Sequence, residues 1–245
     1  MTICIAGILG SAYILYSEQR EYDEGDAAYE QVRAMKLREP GTEEGVQDST
    51  SADFLAKENK KVDFAALKQV NADVMAWIAA DDRIIDYPIV QGTDNEYYLT
   101  HLFTGSKNKL GTLFVDYRTP GDFSEKSTVI YGHNMKDGSM FASLTQYKDQ
   151  EYYDGHPYMQ LFTPDGAYRI EFFAGIVADG DYEFIQYDFD GDSDFLAYIE
   201  TLKSDSTFRS DVSVNANERI VALCTCSYEF NNARYALFGK LVLIE

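Results

Sequence analysis

The spacing of apolar residues changes along the chain, and each change indicates a different kind of structure. Residues 2–16 carry no charged side chain, residues 17–61 are mostly polar, and the chain after Asp82 is rich in short apolar runs. The pattern predicts an apolar N-terminal helix, a polar segment and a domain over residues 62–245, which begins with an amphipathic helix and continues as strands. That helix, Asp63–Ala80, has apolar side chains near a 3.6-residue period at Phe64, Leu67, Val70, Val74, Met75 and Ile78.

The uncharged segment Thr2–Tyr16 has the composition of a membrane anchor. As a helix it rises only about 22 Å, less than the roughly 30 Å hydrocarbon core, so an anchor here would lack its first residues. No Ala-x-Ala cleavage site follows it. We therefore interpret residues 1–16 as an uncleaved anchor at the cell membrane, rather than as a cleaved signal peptide or a buried globular helix.

Residues 17–61 are interpreted as a polar, partly helical linker. Gly41–Asp53 is rich in Gly, Ser, Thr and acidic residues, as solvated linkers are. Ala27–Glu39 favours a helix that ends before Pro40, because its apolar residues recur at three-residue steps, at Tyr29, Val32 and Met35.

The region beyond Asp82 predicts a mostly β, mostly antiparallel domain. A closed barrel is favoured because about seven or eight strands would otherwise leave long open edges. Short helices fit the connections at Asn95–Leu102, Ser139–Tyr147 and Ser193–Leu202. The candidate strands are rich in β-branched or aromatic residues: Ile84–Gln91, Gly111–Tyr117, Ser127–His133, Tyr158–Phe162, Ala167–Val177, Arg219–Cys226 and Arg234–Ile244.

The charge balance excludes one class of partner. The chain has 41 acidic and 21 basic side chains and a formal net charge of −20, whereas a nucleic-acid surface needs clustered Lys and Arg. Its three cysteines, Cys4, Cys224 and Cys226, cannot build a disulfide framework, and no zinc-ligand spacing occurs. We expect no metal and no cofactor.

The acidic run Asp179–Asp194 raises the question of calcium. Its carboxylates lack the glycine and glutamate positions of an EF-hand loop. The run is therefore interpreted as a solvated loop that ends in an N-cap for the helix beginning near Ser193.

Two strand ends carry candidate catalytic chemistry. Following the two-residue alternation, His133 is the last residue of one strand and Cys226 the last of another. The turn residues Asn231 and Asn232 precede the next strand, so a hairpin there would place Arg234 opposite Cys226. A thiolate, an imidazole and a guanidinium suffice for acyl transfer through a thioester, and the arginine favours the thiolate.

Each of these residues also has an ordinary structural interpretation. Cys226 could be a small buried apolar residue, His133 a turn histidine beside Asn134, and Arg234 the partner of Glu229 in a surface ion pair. The other histidines, His101 and His156, are weaker candidates, because the first lies in a helical context and the second in a turn.

Two long segments make the chain similar to a known family. VIYGHNMKDGSMFASL, from Val129, and LCTCSYEFNNARYALFGKL, from Leu223, resemble the class B sortases, membrane-anchored cysteine transpeptidases of Gram-positive bacteria. Further matching segments begin at Trp77, Gly111 and Tyr152, in the expected order: WIAADDRIIDYPIVQGTDNEYYL, GTLFVDYR and YYDGHPYMQLFTPDG.

The resemblance implies an eight-stranded sortase-type β-barrel with N-terminal helices packed against it. It also implies that Cys226 is the nucleophile, His133 the general acid and base, and Arg234 the stabiliser of substrate and oxyanion. The nucleophile motif here reads Ala-Leu-Cys-Thr-Cys, so its first Thr is Ala222 and its middle residue is a cysteine, a possible site of oxidation beside the nucleophile. By position in the motifs, the substrate groove would be lined by Asn95, Leu99, Tyr131 and Cys224.

The implied reaction is transpeptidation at the outer face of the membrane. Class B sortases cleave a C-terminal sorting signal similar to Asn-Pro-x-Thr-x after Thr and pass the surface protein to an amine of peptidoglycan or its lipid II precursor. Two alternatives stay open from the residues alone: a thiol peptidase that uses water, and a non-catalytic barrel that binds peptides at the surface.

Overall fold

The computed structural model describes residues 2–36, 62–81, 83–180 and 184–244, and its eight strands form a closed barrel. Its strands are β1 (Val74–Ala79), β2 (Asp86–Val90), β3 (Leu113–Val115), β4 (Ser127–Tyr131), β5 (Tyr158–Thr163), β6 (Gly166–Asp179), β7 (Ile220–Cys226) and β8 (Ala233–Leu243). Around the barrel the order is β1-β2-β3-β4-β7-β8-β6-β5. The pairs β2–β3 and β4–β7 are parallel and the others antiparallel. The prediction of a closed, mostly antiparallel barrel is confirmed.

Helices occupy the N-terminus and the connections. They are α1 (Thr2–Lys36), α2 (Phe64–Val70), α3 (Gln150–Gly155) and α4 (Asp192–Ser204), with 3₁₀ turns at Tyr97–Leu99 and Ala142–Lys148. The predicted helix Asn95–Leu102 is thus reduced to one 3₁₀ turn, and that at Ser139–Tyr147 is a 3₁₀ helix.

The prediction of one helix over Asp63–Ala80 is wrong. Helix α2 ends at Val70, where the Asn71 side chain bonds the Tyr98 hydroxyl and the Phe103 carbonyl, and the chain continues as β1. β1 pairs with both β2 and β5 and is buried at nearly every position. A short apolar run that is buried on both faces has no alternation to distinguish it from a helix, and the pairing partners decide its conformation.

Two apolar cores stabilise the barrel. Along β7, Val221 and Leu223 belong to the larger core, whereas Ala222 and Cys224 belong to a second one that also contains Phe195 of α4. Because α4 packs on the outside, this second core, called the outer core below, covers the outer face of β4, β7, β8 and β6. Its buried members are Val129, Phe173, Ala174, Phe195, Ile199, Leu202, Val214, Ile220, Ala222, Cys224, Ala236 and Phe238.

Helix α1 continues without a break past residue 16 and packs on the barrel near its C-terminal end. Tyr29 and Val32 lie on the helix that their spacing predicted and are buried, and the Tyr29 hydroxyl donates to the Gly111 carbonyl. Lys36 forms a nearly buried ion pair with Asp86, 2.8 Å between Nζ and Oδ1. The segment 17–36 is therefore part of the folded unit rather than a linker, and Gly41–Asp53 lies outside the described residues. No helix in the described ranges has a stretch long and apolar enough to cross a membrane.

The segment before α4 differs from the predicted solvated loop. Helix α4 begins at Asp192, and its N-cap is Gly191, which makes no side-chain capping hydrogen bond. Gly191 has φ 84°, a conformation that glycine adopts without strain. Residues 184–187 are half-buried because three of their side chains, those of Phe184, Ile185 and Tyr187, pack against the outer core.

Candidate active site

Neighbouring strands bring two of the predicted catalytic residues directly together. β7 and β8 pair with Cys226 opposite Arg234, as the predicted hairpin requires. Asn232 in the connecting turn has φ 63°, which suits its type. Because side chains alternate between faces, Cys224 and Cys226 share the outer face of β7, and Arg234 lies beside Cys226 on that face.

His133 follows β4 and lies next to the end of β7. β4 stops at Tyr131, opposite Cys224, two residues earlier than predicted. The contact between the chains nevertheless continues, because the Thr225 hydroxyl donates to the Gly132 carbonyl at 2.7 Å and Asn134 Nδ2 donates to the Cys226 carbonyl at 2.8 Å. With both flanking residues fixed against β7, His133 comes beside Cys226, and the row His133, Cys226, Arg234 crosses the barrel rim.

The imidazole of His133 is oriented by a backbone carbonyl. Its Nε2 lies 2.7 Å from the carbonyl oxygen of Leu99, in the 3₁₀ turn Tyr97–Leu99. A carbonyl oxygen only accepts hydrogen bonds, so Nε2 carries the proton in this contact. The other nitrogen, Nδ1, then carries no proton in the neutral ring and can accept a hydrogen bond. No pattern of side chains in the sequence indicates this contact.

Arg234 is held by the turn that precedes it. Its Nη1 donates to the carbonyls of Asn232 and Ala233, at 3.3 and 3.1 Å. Gly180 lies against the same guanidinium, because a Cβ added there would meet Arg234 Cζ at 3.2 Å. These contacts use one nitrogen of the guanidinium, and its remaining N–H groups can donate to a ligand.

The loop after Cys226 is tied to the neighbouring 3₁₀ helix. The Lys148 ammonium donates to Ser227 Oγ at 2.8 Å and pairs with Glu229, to which Ser227 also donates. Burial raises the pKa of Glu229, but the hydrogen bonds from Lys148 and Ser227 outweigh it and hold that pKa at about 2. The ion-pair alternative for Arg234 is therefore wrong, since the cation bound by Glu229 is Lys148.

The two cysteines of β7 have different environments. Cys226 is half-buried at the rim, whereas Cys224 is only 3 % exposed and belongs to the outer core. Burial raises the pKa of the Cys224 thiol to about 12, so this thiol is protonated at neutral pH. The sequence suggested that Cys224 lines the substrate groove and is a site of oxidation. Its burial shows instead that it neither lines an open groove nor presents an exposed thiol. Cys224 forms part of the packed floor next to the row His133, Cys226, Arg234.

The other residues expected at the groove lie around the same rim. Leu99 provides the carbonyl that orients His133, and its side chain is half-buried. Asn95 precedes that turn, and its Oδ1 accepts from the Tyr117 amide at 3.1 Å. The Tyr131 hydroxyl bonds Asp116, a completely buried carboxylate that sequence reasoning missed, although the segment GTLFVDYR contains it.

The remaining histidines have other partners. His101 stacks on Tyr97 and bonds its carbonyl through Nδ1 at 2.8 Å, and His156 does the same with Tyr152 at 2.9 Å. Within the described ranges, no group of three or more His, Cys, Asp or Glu side chains is arranged to hold a metal ion.

Comparison with known proteins gives one consistent family. Sortase B of Listeria monocytogenes is 39 % identical over 178 residues, which cover 72 % of this chain and 72 % of that protein. The crystal structure of sortase B from Bacillus anthracis in complex with AAEK1 superposes with a TM-score of 0.77 at 30 % identity, covering 91 % of this chain and 99 % of that one. A Staphylococcus aureus sortase B–substrate complex has a TM-score of 0.72 at 27 % identity, covering 79 % and 92 %. No protein-family model matches the chain.

Proposed function

Because the chain belongs to the class B sortases and is a cysteine transpeptidase, we propose that it cleaves an Asn-Pro-x-Thr-x-like sorting signal after Thr and transfers the acyl group to a peptidoglycan amine. The observation that carries this proposal is the row His133, Cys226, Arg234 at the barrel rim. Such a row has the three groups that acyl transfer through a thioester requires.

In the first half-reaction, His133 Nδ1 takes the proton of the Cys226 thiol, and the resulting thiolate attacks the Thr carbonyl carbon and forms a C–S bond. As the tetrahedral intermediate collapses, the C–N bond breaks and the leaving amine takes a proton from His133. Nδ1 is the donor here, because Nε2 is bonded to the Leu99 carbonyl. The product is a thioester on Cys226, and the peptide beyond Thr leaves as an amine.

In the second half-reaction, an acceptor amine attacks the thioester carbonyl. His133 accepts the proton that this amine loses, a C–N bond forms, the C–S bond breaks, and the thiolate of Cys226 is restored. Arg234 donates to the oxyanion in both halves through the N–H groups that its turn leaves available.

The sorting signal would lie along the rim between the 3₁₀ turn and the loop after Cys226. Asn95 and Leu99 contribute one side of this groove, Tyr131 lies in its floor, and Cys224 supports that floor from below. The Asn95 amide nitrogen can donate to a peptide carbonyl, because its oxygen is bonded to the Tyr117 amide. Peptide binding to a class B enzyme has a precedent in the S. aureus sortase B–substrate complex.

We place this reaction at the outer face of the cell membrane. The uncharged segment Thr2–Tyr16 would anchor the chain in the bilayer, and the barrel would face the wall. The partners would be surface proteins that carry the sorting signal, and peptidoglycan or lipid II as the amine acceptor.

The test is an in vitro ligation with the full chain. An Asn-Pro-x-Thr-x peptide and a short glycine peptide as the amine are incubated with the protein, and products are identified by mass spectrometry. A ligated product that disappears in Cys226→Ala and persists in Cys224→Ala is expected. If Cys226→Ala retains activity, the proposal is wrong. If the amine does not divert the acyl group from water, the protein is a thiol peptidase.

A further inference from the structure

We propose that Tyr187 is a positioning residue for the sorting signal: it clamps the segment 184–190 onto the barrel through Asp116 and so fixes one wall of the substrate groove. This inference rests on the proposed function. It assigns a role to a group of four residues, Asp116, Arg118, Tyr131 and Tyr187, that the reaction steps above do not use.

The segment 184–190 lies over the floor of the groove. It follows β6 and precedes α4, and its side chains Phe184, Ile185, Tyr187 and Phe189 pack against the outer core. That core contains Cys224, which pairs with Tyr131, one row before His133 and Cys226. The segment therefore covers the pair Tyr131 and Cys224. Its edge forms a wall beside the neighbouring row His133, Cys226, Arg234.

The clamp is a buried carboxylate with several donors. Asp116 is 0 % exposed, and Arg118 binds it with two nitrogens, Nε to Oδ1 at 3.0 Å and Nη2 to Oδ2 at 2.7 Å. The hydroxyls of Tyr187 and Tyr131 donate to Oδ2 at 2.9 and 3.1 Å. A buried carboxylate needs such partners to remain charged, so these four side chains hold one another in place.

Tyr187 is the member of this group that comes from the covering segment. The other three lie on β4 or directly after β3, whereas Tyr187 reaches Asp116 across 71 residues of sequence. Its hydroxyl also accepts from Arg118 Nη2 at 2.7 Å, and the guanidinium lies 4.6 Å over its ring. Removing this hydroxyl detaches the wall from Asp116 but leaves Asp116 with Arg118 and Tyr131.

A second residue holds the same segment at its other end. The Tyr198 hydroxyl, on α4, donates to the Phe184 carbonyl at 3.1 Å and accepts from the Gln186 amide at 3.3 Å. Tyr198 fixes the backbone against its own helix, whereas Tyr187 fixes it to the strands that carry the catalytic row. The Tyr187 contact relates the wall to Asp116 and Tyr131.

The test compares Tyr187→Phe with the wild-type chain in the peptide ligation assay. Tyr187→Phe removes the hydrogen bonds of this hydroxyl to Asp116 and Arg118, and we expect the KM for the peptide to rise about tenfold, which is equivalent to about 1.4 kcal/mol. We expect kcat within about twofold of wild type, because the catalytic row is unchanged. Tyr153→Phe is the matched control: its hydroxyl bonds Ser210 at 2.7 Å, away from the groove, and its KM should not change.

The outcomes separate the two proposals. If the wild-type chain forms no ligated product, the proposed function fails. If the wild-type chain is active and Tyr187→Phe keeps the wild-type KM, or loses kcat instead, the clamp is wrong. A second readout is amide hydrogen exchange over 184–190, which should become faster in Tyr187→Phe and not in Tyr153→Phe. Unchanged exchange there would equally contradict the clamp.

Discussion

Nε2 of His133 lies 2.7 Å from the carbonyl oxygen of Leu99, 34 residues earlier in the chain. This contact engages Nε2 and leaves Nδ1 as the imidazole nitrogen that other groups can bond. It uses a backbone atom, so replacing the Leu99 side chain does not remove the acceptor. The orientation of His133 therefore depends on the position of the 3₁₀ turn Tyr97–Leu99.

The three histidines should differ in tautomer. His133 bonds a carbonyl through Nε2, whereas His101 and His156 bond carbonyls through Nδ1. In the neutral form, we expect His133 as the Nε2–H tautomer and the other two as Nδ1–H. Nitrogen-15 NMR of the histidine side chains above their titration range measures this directly, with His133→Gln for assignment. An Nδ1–H tautomer at His133 would contradict the assigned proton-transfer atom.

The thiols of Cys224 and Cys226 should differ in accessibility. Cys224 is 3 % exposed and its pKa is raised to about 12 by burial, whereas Cys226 is half-buried at the rim. Iodoacetamide at neutral pH should alkylate Cys226 within minutes and leave Cys224 unmodified until urea unfolds the chain. Peptide-resolved mass spectrometry separates both from Cys4. Equal labelling of the two in the native protein would refute this assignment.

Asp116 should make stability depend on acid pH. Burial raises the pKa of Asp116, but the hydrogen bonds from Arg118 outweigh it and lower the pKa from 3.8 to about 2. The resulting stabilisation, about 2 kcal/mol, is complete above the unfolded pKa near 4 and is lost as the pH falls toward 2.

Urea unfolding of wild type and Asp116→Asn at several pH values checks this dependence. The stability difference between the two should be largest at pH 7 and should shrink between about pH 4 and 2. A difference that stays constant over this range would show that the Asp116 charge does not contribute.

Tyr29 should be needed to dock α1 on the barrel. Its ring is 1 % exposed and meets Tyr87 edge-on at 5.1 Å, and its hydroxyl bonds the Gly111 carbonyl and Thr112. Tyr29→Ala should lower the free energy of unfolding by about 3–5 kcal/mol, and Tyr29→Phe by about 1 kcal/mol.

The matched control for Tyr29 is Leu243→Ala, because Leu243 is 60 % exposed and its truncation should cost less than about 0.5 kcal/mol. Urea unfolding followed by fluorescence of Trp77, the single tryptophan, measures all three variants. If Tyr29→Ala is no less stable than Leu243→Ala, α1 does not contribute to the fold.

Most of the barrel could be predicted because its strands are uninterrupted runs of β-branched and aromatic residues. β1 could not, because the apolar residues of Val74–Ala79 fit a helix as well as a strand, and only β2 and β5 distinguish the two. The N-cap of α4 was also missed, since Gly191 supplies a backbone conformation and no capping side chain.

The placement of Arg234 opposite Cys226 could be predicted, from alternation along β7 and the turn at Asn231 and Asn232. The position of His133 relative to Cys226 depends on a parallel pairing that alternation alone does not reveal. The roles of the Leu99 carbonyl and of Asp116 depend on contacts between distant segments. Burial of Cys224 could not be predicted either, because the covering segment before α4 has a sequence typical of solvated loops.

The parallel pairing of β4 with β7 has a consequence for the order of folding. Gly132 and Thr225 are 93 residues apart, so the imidazole and the sulfur meet only after nearly the whole domain has been synthesised and its longest loops have closed. Until then, the cysteine is an ordinary free thiol with no proton donor beside it. Catalytic power is thus confined to the finished barrel, and a nascent chain has none.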